Sequence, residues 1–104
     1  MSKVTVDAGI CGFTAIIKAE KTGKYRVRIE VFCPCEMIKA MDRELRQITV
    51  TSDVFLKISD SVVYQLASKH IRHTACPVPA AILKAAEVEM GLALPKDVTM
   101  KIVE

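Results

Sequence analysis

Tryptophan is absent from this 104-residue chain, and two tyrosines with three phenylalanines bring the aromatic content to only 5%. Aliphatic side chains must therefore fill the core, and a surface that stacks nucleic-acid bases on aromatic rings is not expected. No segment approaches the roughly 20 consecutive apolar residues that a membrane-crossing helix requires. The opening MSKVTVDAGI also lacks the apolar stretch of a secretory signal, so a reducing, cytoplasmic location is the expectation. There is no P-loop, no G-x-G-x-x-G fingerprint and no G-x-S-x-G nucleophile elbow, which removes the commonest nucleotide-binding and hydrolase signatures. Charge of one sign is not concentrated anywhere, since 15 basic and 12 acidic residues are interspersed and leave a net charge of +3. Lys18, Lys21, Lys24, Arg26 and Arg28 do fall on one probable hairpin, and the simplest reading of them is a solvated sheet face. Neither a nucleic acid nor a membrane is an expected partner, whereas a protein partner is compatible with this composition.

What is present is a folded-domain composition, with 51% hydrophobic and 26% charged residues. A chain of this length can bury one core without disulfide staples, so a single domain over residues 1–104 is expected. Val4 and Val6 alternate with Lys3, Thr5 and Asp7, which reads as a first strand closed by the segment 8–12. Segments 13–20 and 24–32 read as two further strands joined at Lys21-Thr22-Gly23, with Tyr25, Val27, Ile29 and Val31 on the inward face and Arg26, Arg28 and Glu30 outward. From 36 to 47, Met37, Ile38, Met41 and Leu45 follow helical spacing and leave Lys39, Asp42, Arg43 and Arg46 to water. Segment 48–55 has strand-like β-branched residues. A second helix is expected from a cap at Ser59 or Asp60 to about Ile71, turning Val63, Leu66 and His70 inward.

Pro77 suits the first turn of a third helix, Ile82, Leu83, Ala86 and Met90 form its inward stripe, and Gly91 suits its C′ position. The tail from Val98 to Ile102 alternates once more and is expected to return to the sheet as a final strand. The expected fold class is α+β, a mainly antiparallel sheet with about three helices packed on one face.

Four cysteines, Cys11, Cys33, Cys35 and Cys76, carry the only distinctive chemistry. Gly9 and Gly12 surround Cys11, Pro34 separates Cys33 from Cys35, and Pro77 and Pro79 follow Cys76. Two of these clusters open helices, where unpaired amides and the positive end of the helix dipole favour thiolates. Four thiolates complete either a closed zinc site or the ligation of an iron–sulfur cluster, so Cys11, Cys33, Cys35 and Cys76 are the candidate metal and cofactor ligands. The spacing C-x21-C-x-C-x40-C is neither a zinc-ribbon nor a ferredoxin pattern. His70 and His73 are secondary candidates as ligands. A cysteine hydrolase would need a thiol paired with His70 or His73 and oriented by an acid such as Asp60, a pairing that the spacing does not require. Thiol redox or sulfur transfer is the second reading of the cysteines, and because free cysteines are among the most buried residue types, four inert core thiols form the third.

The segment Cys76-Pro77-Val78-Pro79, followed by the helical pattern of residues 80–84, resembles the Cys-Pro-x-Pro helix start of small sulfur carriers of the sulfurtransferase A type. That resemblance implies that Cys76 is a carrier thiol for persulfide sulfur. The whole chain is also similar to small uncharacterised proteins of anaerobic prokaryotes with Cys-Gly-Phe, Cys-Pro-Cys and Cys-Pro elements, which implies no established activity.

Overall fold

A computed structural model of the chain describes residues 1–47 and 56–104, and the strand expected over 48–55 lies outside them. Among the described residues, three strands, β1 (Ser2–Asp7), β2 (Thr14–Gly23) and β3 (Arg26–Phe32), form an antiparallel sheet in the order β1-β2-β3. Three helices follow: α1 (Glu36–Leu45), α2 (Val62–His70) and α3 (Val78–Glu89). A short 3-10 turn, Ile58–Asp60, precedes α2. The fold is α+β, as the alternation and helical spacing require.

The register lines up one apolar face. Val4 pairs with Ile17, which pairs with Val31, while Ala19 pairs with Ile29 and Val6 with Ala15. Ala15, Ile17, Ala19, Val27 and Ile29 are fully buried beneath Ile38, Met41 and Leu45 of α1, Val63 of α2 and Ile82, Ala85 and Ala86 of α3. The opposite face remains open and mixed in charge. There Arg28 lies 3.9 Å from Glu20, and Lys18 and Arg46 sit 5.3 and 5.2 Å from the Phe32 ring centroid. The basic hairpin is therefore partly neutralised and partly laid over an aromatic ring.

Five expectations need correction. The hairpin turns at Lys24-Tyr25 rather than at 21–23, with an irregular register between Lys21 and Gly23. Tyr25 has φ +56° and is 46% exposed, because a left-handed residue in a two-residue loop leaves the alternation that would have carried it inward. Asp42 is buried instead of facing water. Its Oδ1 accepts the Val31 amide at 2.8 Å and its Oδ2 accepts from Arg46 Nε at 2.8 Å, so a carboxylate caps an amide on the outer edge of β3. The α2 cap is Ser61, whose hydroxyl accepts from the Tyr64 amide at 3.3 Å, not Ser59 or Asp60. Finally, residues 98–102 form no strand, and Val98, Met100 and Ile102 are exposed.

The end of α3 fixes its direction on the sheet. The Leu92 amide donates to the Glu87 carbonyl and the Gly91 amide to that of Val88, with Gly91 at φ +77°, so the helix closes in a Schellman motif at the expected glycine. In the last turn, Glu89 accepts from Ser2 Oγ at 2.8 Å and from the Lys21 amide at 2.9 Å. These bonds pin α3 to the edge of the sheet where β1 begins and β2 ends. They also hold the Glu89 carboxyl below its usual range, with the Lys21 amide as the largest cause.

Two outcomes follow from this packing. Val27→Asp should destabilise the fold by about 3 kcal/mol or more in urea titration, because it buries an unpaired carboxylate, whereas Arg26→Ala should stay within about 0.5 kcal/mol. Equal losses would overturn the face assignment. A depressed carboxylate pKa contributes stability above the unfolded pKa of about 4.3, and that contribution disappears as pH falls through the lower folded value. Glu89→Gln should therefore reduce stability at neutral pH and flatten its acid-side decline, and an unchanged pH profile would show that the Glu89 contacts do not form in solution.

Candidate functional site at the cysteine pole

The strand register and the clamp at Glu89 determine where the four cysteines lie. Asp7 pairs with Thr14, so the loop carrying Cys11 leaves the sheet at the end of β1. Phe32 pairs with Ile16, so Cys33-Pro34-Cys35 leaves the sheet at this same end. The twelve residues of α3 span about 18 Å at 1.5 Å each, close to the roughly 20 Å covered by the six residues of β1. With Glu89 held beside Ser2, the start of α3 must return to the end of the sheet where Cys11, Cys33 and Cys35 lie. Cys76 immediately precedes the α3 cap, Pro77. A contact across the helices agrees with this placement, since the Arg72 amide meets Met37 Sδ in the first turn of α1 at 3.4 Å.

Each cysteine is held differently. Continuing the alternation past Phe32 sets Cys33 level with Ala15 on the inner face. Cys33, Cys35 and Cys76 are all half-buried and pack against the core. Cys35 is the N-cap of α1 and its carbonyl accepts the Lys39 amide at 2.9 Å, while no side chain caps that helix. No side chain caps α3 either, so both helix starts present amides toward this pole. Cys11 is exposed, on a loop in which Gly9 and Gly12 both adopt left-handed backbone, at φ +89° and +76°. The Gly12 amide donates to the Gly9 carbonyl at 2.9 Å and the Ala8 amide to that of Phe13 at 3.0 Å, which turns the loop back tightly. Glycine is required there because a side chain at either position would be strained.

The electrostatics tie the set together. Burial pushes the Cys76 thiol above its usual range, and Cys11, Cys35 and Cys33 each push it further, in that order. The nearby Val78 backbone works in the opposite direction. All three other cysteines thus act on Cys76. The expectation that this helix start would favour its thiolate is reversed, because desolvation and like-charge neighbours outweigh one amide. Among the described residues, no three His, Cys, Asp or Glu side chains lie close enough to hold a metal ion as they stand.

The other candidates fall elsewhere or find other partners. His70 is engaged with Glu44, which also accepts from Lys69 Nζ at 2.7 Å. Lys69, and then His70, hold the Glu44 carboxyl below its usual range. His70 therefore buttresses α1 against α2. His73 is exposed, and its carbonyl accepts the Cys76 amide at 3.0 Å. Asp60 sits in the exposed 3-10 turn that precedes α2, whereas His70 ends α2 and is paired with Glu44, so Asp60 is not the acid that orients it. The interaction that sequence reading missed is the Glu89 clamp, since nothing local to Glu89 signals a bond to a backbone amide 68 residues away.

The chain matches the family of unknown function DUF6951 over residues 2–102 and belongs to that family. No curated protein and no solved structure matches it. No helix among the described residues is long and apolar enough to cross a membrane.

Pulse alkylation with iodoacetamide followed by peptide mass spectrometry should label Cys11 first and Cys76 slowly, with the Cys76 rate still rising at pH values above the ordinary thiol range, about 8.5. Fastest labelling at Cys76 would contradict the electrostatics of the pole.

Proposed function

We propose that DUF6951 in this chain is a metal-binding domain of a reducing, cytoplasmic compartment, holding a zinc ion or an iron–sulfur cluster through the thiolates of Cys11, Cys33, Cys35 and Cys76. What supports this reading is the placement of all four cysteines at one end of the sheet, Cys11 in the loop after β1, Cys33 and Cys35 after β3 and Cys76 just before α3. Four thiols at one pole repel one another when ionised, and a bound cation converts that repulsion into attraction. Three of them rest on the core beside two helix starts whose amides suit a negatively charged cluster. The fourth, Cys11, lies on an exposed glycine loop, and closing the ligand set requires that loop to fold inward. Because bound thiols must lose their protons, affinity should weaken as pH falls.

A second reading, sulfur transfer by Cys76, is supported by the Cys-Pro-Val-Pro start of α3, where the Val78 backbone favours the thiolate. The upward push on that thiol counts against it, because a persulfide carrier attacks as a thiolate. The two readings separate on single substitutions. After anaerobic purification, elemental and acid-labile sulfide analysis should find zinc, or iron with sulfide, and each of Cys11→Ser, Cys33→Ser, Cys35→Ser and Cys76→Ser should lower occupancy and thermal stability together. Persulfide loading lost only in Cys76→Ser would favour the carrier. A protein that takes up neither zinc nor a reconstituted cluster would end the metal reading.

A further inference from the structure

The sheet has one edge that its own core leaves unfinished. On β3, the inward residues Val27, Ile29 and Val31 are 0–3% exposed, and the Val31 amide on the outer edge is answered by Asp42. On β1, the inward residues Val4 and Val6 are only half-buried, although they share the same apolar face. Among the described residues the backbone of β1 pairs with β2 alone, and no side chain caps its outer edge as Asp42 does for β3. An edge strand with half-covered valines and a free row of backbone groups is a template for one more strand.

The chain also carries a strand that has no sheet. Residues 98–102, VTMKI, alternate apolar and polar positions before a second apolar residue, Val103, yet the segment forms no regular structure. Met100 is 79% exposed, Ile102 93% and Val103 80%. Exposing three such side chains within one short segment is costly, and single scattered apolar residues do not explain the pattern. The six residues of this segment match the six of β1 in length. In an added strand, Val98, Met100 and Ile102 would extend the row of Val4 and Val6. Lys101 would then fall on the outer face, which carries Lys3, Thr5 and Asp7, so the register that sets it near Asp7 and away from Lys3 is favoured.

From this complementarity we infer that the tail 98–103 adds as a fourth strand to the β1 edge of a second copy of this chain, and that the exchange is reciprocal. A two-fold arrangement satisfies both tails and both edges at once and closes the assembly, whereas one-way addition would propagate into a filament. In its own chain the tail pairs with no strand of the described sheet, so the edge it can complete as it stands after α3 is that of a neighbour. The inference is independent of the thiol site, which lies outside both segments.

Light scattering after size exclusion, on the anaerobically prepared full chain, tests it against a chain ending at Asp97 and against Met100→Lys. The full chain should be a dimer, the shortened chain a monomer with its helical circular-dichroism signal intact, and Met100→Lys should raise the dissociation constant about tenfold or more. Hydrogen exchange should then be slowed in both 2–7 and 98–103 of the dimer alone. A full chain that stays monomeric at high micromolar concentration overturns the inference, including the case in which its tail is protected on its own sheet. So does a dimer that persists after removal of the tail.

Discussion

Glu89 ties the last turn of α3 to Ser2 at the start of β1 and to the Lys21 amide near the end of β2, and these two bonds orient the helix that brings Cys76 to the other thiols. A sheet with one apolar face needs helices across it, but burial alone is non-directional and would accept α3 in either sense along the strands. Hydrogen bonds to a carboxylate at one end break that symmetry. Because the helix and the strands have nearly equal lengths, fixing the α3 end at one side of the sheet fixes its start at the other. The cysteine pole is thus a consequence of a contact made at the opposite end of the molecule.

At the pole itself, three effects compete for the Cys76 thiol. Burial and the neighbouring thiols disfavour its ionisation, while the Val78 amide favours it, and the first two prevail. A single reactive thiolate and a set of thiols awaiting a cation place opposite demands on such a site. The former needs the pKa to be lowered in the free protein, whereas the latter tolerates an elevated value because the cation supplies the missing positive charge on binding. Cys33, Cys35 and Cys76 are half-buried and Cys11 is exposed, so in the proposed metal site Cys11 would be the last ligand to close.

Much of this was legible in the sequence. Period-two alternation found Val27, Ile29 and Val31, helical spacing found Ile38, Met41 and Leu45, and the Gly91 stop to α3 was visible in advance. Tyr25 was misread because alternation ends where a loop residue turns left-handed. Asp42 was misread because helical periodicity assigns polar residues to water, while an edge amide of β3 needed an acceptor that only the packed helix could bring. The tail was misread for a related reason: alternation shows that residues 98–102 can form a strand, not which sheet edge is within reach. The neighbours of the four cysteines were readable one by one, but their placement at one end of the sheet depended on the direction of α3. The sign of the Cys76 shift depended on burial, which is a property of the assembled pole.

X-ray absorption at the metal edge of the anaerobically purified protein tests the central claim most directly, because it counts the ligand atoms. Four sulfurs at about 2.3 Å, falling by one cysteine sulfur in Cys76→Ser, is the predicted first shell for the thiolate site. A shell of nitrogen and oxygen, or a sulfur count indifferent to Cys76, would contradict it.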